Sequence, residues 1–209
     1  MANRRAFIAV AANIIAAPVL ALVARPATTL AAPAQNPWAD KLLTAAQRQV
    51  GETLVYDPAY VAISYPGGDV PRDRGVCTDV IVRAYRDAFG MDLQKMVHED
   101  MRADFCAYPK TWGLKRPDPN IDHRRVPNLE TFFARRKVAL PVTRNPADYR
   151  PGDIVTQRLP AGQPHIGIVS DRMSRDGARP LLVHNIGAGA RVEDVLMAFN
   201  IVGHYRFGP

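Results

Sequence analysis

The sequence predicts an α+β fold, a single domain in which N-terminal helices pack on an antiparallel β-sheet. Three observations predict it. Segments with helical apolar spacing come first, β-branched or apolar runs separated by turn residues come last, and 209 residues with 47% hydrophobic positions are enough for one core. Nothing in the composition demands a second domain.

The elements follow in order. Asn36-Pro37 reads as a cap and a first-turn proline, and Trp38, Leu42, Ala46 and Val50 keep helical spacing up to Gly51. Short strands are expected at Leu54 to Tyr56 and Val61 to Tyr65. A loop from Pro66 to Gly75 leads into a helix from Cys77 to Phe89, with Val80, Ile81, Ala84, Tyr85 and Ala88 on one face and Gly90 as its stop. A third helix, Leu93 to Ala107, turns Leu93, Met96, Val97, Met101 and Phe105 inward. The prolines from Pro109 onward enforce a long loop, of the kind that often carries function. Asn128 is expected to cap a short helix bearing Leu129, Phe132 and Phe133. Ile154 to Thr156, Ile166 to Val169, Leu181 to His184 and Ile201 to Phe207 read as the strands of the sheet.

Residues 1–34 stand apart. They hold no acidic residue, open with Arg4-Arg5, and continue as a mainly apolar run from Ala6 to Ala24, which is the layout of a cleavable signal peptide. Ala32-Pro33-Ala34 supplies the small residues a signal peptidase reads, so the mature domain is expected over residues 35–209, periplasmic or secreted. Arg4-Arg5-Ala6-Phe7-Ile8 fits twin-arginine export as well as general secretion. An uncleaved segment of this length would be the protein's one link to a membrane. Loss of Arg4, Arg5 and Arg25 leaves 24 basic and 20 acidic residues, a net +4 that makes no case for nucleic acid. The basic groups in Lys110 to Arg125 and Arg135-Arg136-Lys137 read either as solvated surface or as an attraction for carboxylate-rich substrates.

The two cysteines, Cys77 and Cys106, leave a disulfide open, because an oxidising compartment permits one. Their settings differ. Cys77 opens a helix after a Gly-rich loop, whereas Cys106 ends one beside Phe105 and Tyr108, where a small apolar side chain would pack.

Three points carry chemistry. At a helix start, unpaired amides and the positive end of the helix dipole favour a thiolate at Cys77, and the Cys77 amide would also hold an oxyanion. His165 sits at the mouth of a strand, a rigid mount for a side chain that takes a proton from a thiol near neutral pH. His184 ends the next strand and would orient that imidazole. Each alone has a plain structural reading. Together, a helix-start cysteine followed by two strand-end histidines is the chain order of papain-like catalysis. Asp79, on another face of the helix, is expected to cap it or to face substrate.

Gly75 to Phe89, Gly152 to Val155 and His165 to His184 resemble the NlpC-type cell-wall peptidases. That resemblance implies a papain-like fold with Cys77 as nucleophile, His165 as base, His184 as orienter and Tyr65 as an aid to the oxyanion site. Val76 and Thr78-Asp79 depart from that pattern. Over almost its whole mature length the chain is more similar to an exported bacterial family, domain of unknown function 1287. Tyr65 to Pro71, Gly75 to Asp79, Asp118 to Arg124 and Val183 to Gly187 carry this similarity. In the Asp118 to Arg125 loop, Asp122, His123 and Arg124 are the candidate substrate-binding groups. Arg124 or Arg125 would clamp a carboxylate, or the loop is a surface segment pinned by its own ion pairs.

The expected activity is covalent thiol hydrolysis of an amide, with peptidoglycan peptides as the favoured substrate class, by a monomer that needs no cofactor. Two alternatives differ in class: a metal-dependent hydrolase using His98, Glu99, Asp100, Asp122, His123 and His184, and a wall-binding module of the same fold without activity.

Overall fold

The computed structural model describes residues 37–209, so the expected signal segment and the Asn36 cap lie outside the described residues. Among the described residues, four α-helices, α1 (Ala39–Arg48), α2 (Cys77–Phe89), α3 (Leu93–Ala103) and α4 (Val126–Arg135), precede the main strands. These are β3 (Ile154–Arg158), β4 (Pro164–Met173), β5 (Pro180–Asn185), β6 (Ala190–Glu193) and β7 (Asn200–Tyr205). A two-residue pair, β1 (Val55–Tyr56) and β2 (Arg74–Gly75), runs parallel ahead of α2. The five main strands form one antiparallel sheet in the order β6-β5-β4-β3-β7. The α+β architecture with an antiparallel sheet is therefore present.

Strand alternation divides the core. Ile154, Ile166, Ile168, Val183 and Tyr205 face the helices and pack with Leu42, Val80, Ile81, Leu129, Phe132 and Phe133. Val155, Val169 and Leu182 face the other way, onto Tyr149 and Leu196. α2 lies across β4 and β5, with α1 beside it. Its end follows the expected physics, since Gly90 takes a left-handed conformation at φ 67° that costs glycine little.

Several boundaries differ from the sequence reading. Val61 to Tyr65 forms no strand, because its backbone is held instead by side chains: Asn120 accepts the Ile63 N–H, and Gln94 donates to the Ser64 carbonyl. α3 stops at Ala103, and Phe105–Ala107 is a separate 3₁₀ turn that leaves Cys106 exposed rather than packed. Asn128 lies inside α4, where its amide donates to the Asp122 carbonyl, while Arg125 occupies the cap position. The strand β6 had no counterpart in the sequence reading.

The loop into α2 is held from below by a buried arginine. Arg83 donates through Nε to Asp69 at 2.9 Å, through Nη2 to the Val70 and Arg74 carbonyls at 3.0 Å each, and through Nη1 to Thr53 Oγ1 at 3.1 Å. A planar guanidinium satisfied on all sides in this way fixes the backbone that presents Cys77.

Candidate active site at the start of helix α2

Cys77 is the first residue of α2. Its neighbour Val76 is extended, and the Val76 N–H donates to Asp79 Oδ2 at 2.7 Å, so Asp79 caps the helix as one of its two expected roles. Asn185, at the end of β5, donates to the Gly75 carbonyl at 3.0 Å and ties the helix start to the sheet. The Ile166 amide, one residue after His165, lies near enough to the Cys77 sulfur to favour its anion. Cys77 is only 4% exposed and forms no disulfide with Cys106.

The expected resting thiolate is corrected here. Burial pushes the Cys77 thiol up to about 12, the Asp79 carboxylate adds to this, and the Ile166, Thr78 and Cys77 amides oppose it without prevailing. The capping carboxylate offsets the helix dipole that would have favoured the anion. The resting group is a neutral thiol.

His165 Nε2 lies 2.9 Å from His184 Nδ1, with the rings edge to face, and both side chains are buried. Glu193 Oε2, on β6, lies 3.1 Å from His184 Nε2, off the axis of a linear hydrogen bond but close enough to pair with a charge. Burial lowers His165 to about 3, with the His184 charge adding to this, and burial also lowers His184 against the opposing pull of Glu193. Both imidazoles therefore rest neutral at pH 7. One tautomer set satisfies the chain: His184 carries its proton on Nε2, towards Glu193, and accepts at Nδ1 from His165 Nε2–H. The lone pair of His165 Nδ1 is then the available base.

His165 and His184 occupy the strand face opposite Ile166 and Val183, whereas Cys77 packs with the helix-facing cluster. The thiol thus lies on the helix side of the sheet while the imidazole projects from the other face at the start of β4; neither histidine lines the cleft beside Cys77, and no hydrogen bond joins thiol and imidazole among the described residues.

A cleft of about 250 Å³ opens beside Cys77. Tyr56, Trp112, Arg124 and Arg125 are among its walls. Tyr56 pairs in register with Gly75, and burial raises its phenol to about 12, with the nearby Cys77 and Asp79 contributing. Its hydroxyl remains a proton donor throughout the neutral range.

The remaining expected site residues are placed differently. Tyr65 stacks edge-on against His98 at 4.8 Å and is absent from the cleft walls, so the tyrosine beside Cys77 is Tyr56 instead. Arg124 grips Asp79 at 3.0 Å and donates to the Ala59 and Asp57 carbonyls, which commits all three of its nitrogens. Asp79 and Arg124 therefore brace the site, with Arg124 also forming part of the cleft wall. Asp122 and His123 are buried behind the loop and do not line the cleft. Burial raises Asp122 to about 6 and lowers His123 to about 3. The six groups of the metal alternative do not converge: Asp100 holds Tyr108 and Arg135, His184 holds Glu193, and no three His, Cys, Asp or Glu side chains gather as a ligand set among the described residues.

Sequence reasoning missed Glu193, Tyr56 and Trp112. Glu193 lies on the strand that was missed, and its one signal was the short alternation Arg191-Val192-Glu193.

Two comparisons bear on identity. An uncharacterized protein of Escherichia coli strain K12, YijF, is 60% identical over 162 residues, covering 78% of each chain. The profile of a domain of unknown function, DUF1287, matches residues 43–207, a span that includes every element from α2 to β7 and all the residues of the site. The chain belongs to the DUF1287 family.

Proposed function

We propose that this protein is an exported thiol hydrolase with a papain-like arrangement that cleaves an amide through a Cys77 thioester, as the resemblance to NlpC-type peptidases implies. The observation that carries the reading is the buried His165–His184 contact of 2.9 Å, backed by Glu193 and set beside the strand amide that lies near the Cys77 sulfur. A buried pair of imidazoles beside a carboxylate is a placement that proton transfer would use.

The chemistry follows from the tautomers. His165 Nδ1 takes the thiol proton as the sulfur attacks the amide carbon, and the imidazolium is stabilised through His184 by the Glu193 carboxylate. The developing oxyanion accepts from the Cys77 amide and the Tyr56 hydroxyl. Collapse expels the amine, which takes the proton from His165 and leaves a thioester. Water, deprotonated by His165, then releases the acid and restores the thiol. Because both partners rest neutral, proton transfer accompanies attack rather than preceding it. Peptidoglycan peptides are the favoured substrates, from the expected export signal and the resemblance to NlpC-type peptidases.

The depth of Cys77 favours one competing reading, a wall-binding module that keeps the fold without turnover. One experiment separates the two. Folded, unreduced protein is treated with a chloroacetamide across pH and mapped by mass, with the exposed Cys106 as internal standard and His165→Ala as control. Selective labelling of Cys77 that is lost in His165→Ala supports the hydrolase. Labelling of Cys106 with Cys77 inert overturns it.

A further inference from the structure

Arg125 is in an unusual position for a guanidinium. Its side chain is 16% exposed, it lies over the Trp112 ring at 4.1 Å, and both residues line the cleft that contains Cys77. None of its guanidinium nitrogens makes a hydrogen bond among the described residues, and Nη1 is fully covered without a hydrogen-bond partner. The nearest carboxylate oxygen, Asp122 Oδ1, stands 3.6 Å from Nη1 and is itself without a hydrogen bond. The neighbouring Arg124 shows the contrast, since Asp79 and two carbonyls satisfy it. A largely buried guanidinium is normally matched by planar bidentate acceptors. The stacking on Trp112 fixes its plane, which lowers the entropy lost when such an acceptor arrives.

We propose that Arg125, held on Trp112, is the substrate-anchoring group of the Cys77 cleft and that it takes a carboxylate, so the amide cleaved has a free carboxylate on the residue seated there. This rests on the thiol-hydrolase reading and narrows it to acidic or carboxy-terminal peptide substrates. The cleft volume of about 250 Å³ suits one residue rather than a long segment. Of the other charges around it, the carboxylate of Asp79 neutralises Arg124, and Asp122, held at Oδ2 by the Asp118 amide, is among the described residues the one carboxylate in ion-pair range of Arg125, through a single oxygen at 3.6 Å that makes no hydrogen bond.

The test uses reagents that need no known substrate. N-Chloroacetyl-glycine, N-chloroacetyl-β-alanine and N-chloroacetyl-γ-aminobutyrate are compared with their N-methylamides, and N-chloroacetyl-glutamic acid α-amide supplies a side-chain carboxylate. In each case a sulfur–carbon bond forms at Cys77, chloride leaves, and the thiol proton passes to His165. Every acid-to-amide rate ratio is divided by that of glutathione. A bidentate charged contact predicts a ratio of about ten or more at one spacer length. The ratio should fall with added salt, fall to about one in Arg125→Gln, and be partly kept in Arg125→Lys. Preference for the glutamate reagent over the terminal acids assigns the carboxylate to a side chain, and the reverse assigns it to a chain end. Equal labelling by acids and amides at every spacer in the wild-type protein overturns the carboxylate inference while leaving the nucleophile in place. Failure of every reagent at Cys77, with Cys106 labelled, overturns the nucleophile and the inference together.

Discussion

Glu193→Gln isolates the electrostatic part of the proposed relay. The substitution keeps the size of the side chain and its place 3.1 Å from His184 Nε2, but it removes the charge that stabilises a proton arriving on His165. With His184 between them, the carboxylate stands about 8 Å from His165 Nδ1, where an effective dielectric of about 20 gives an attraction of about 2 kcal/mol. Glu193 is 36% exposed, and the Debye length in physiological salt is of similar size, so about half of this survives screening. The expected loss is therefore about 1 kcal/mol, close to fivefold in rate. The assay is pseudo-first-order alkylation of Cys77 by a neutral chloroacetamide at pH 7, read by intact mass, with Cys106 as internal standard. The fivefold loss should shrink in high salt. A Glu193→Gln rate within 1.5-fold of wild type at low salt would refute the relay, as would a loss equal to that of His184→Ala, which also removes the imidazole that orients His165.

Further outcomes test the frame around the site. In His165→Ala, the Cys77 alkylation rate should still be rising at pH 10, because burial holds the thiol near 12; a plateau near pH 8.5 would show that the thiol is not shielded as described. Arg124→Ala should cost about 3 to 5 kcal/mol in urea unfolding, since it strands the buried Asp79 carboxylate, and a loss below 1 kcal/mol would contradict the bracing role. Asp122 has its folded value raised to about 6, so the penalty for ionising it is absent below its unfolded value near 4 and grows as pH rises through 6. The stability of Asp122→Asn relative to wild type should thus increase by up to about 3 kcal/mol between pH 4 and pH 8, measured by paired urea titrations. Phe133→Ala removes a fully buried ring from the helix–sheet core and should cost about 3 to 5 kcal/mol by the same method.

Much of the fold is legible in the order of residues because local rules govern it. α2 runs from Cys77 to Phe89 as its apolar spacing and Gly90 predict, and β3, β4, β5 and β7 fall on the apolar runs that predict them. Chain order likewise singles out Cys77, His165 and His184, since a helix start and two strand ends are positions that periodicity can locate. β6 was hidden because a four-residue edge strand with Arg191 and Glu193 in it has no apolar run to read.

Long-range pairing decides the rest. Asp79 and Arg124, 45 residues apart, become a brace because the loop folds over the helix start, so charged groups that suggest substrate contacts are consumed internally. Tyr56 rather than Tyr65 reaches Cys77 because β1 pairs with the strand just before the helix. Glu193 joins the histidines because β6 lies beside β5. The protonation states, too, follow from burial and from neighbours distant in sequence: a thiol at a helix start reads as acidic until the fold covers it and sets a capping carboxylate beside it. Residue types and their spacing thus specify which groups are available for chemistry, and the three-dimensional packing specifies which remain unmatched and able to perform it.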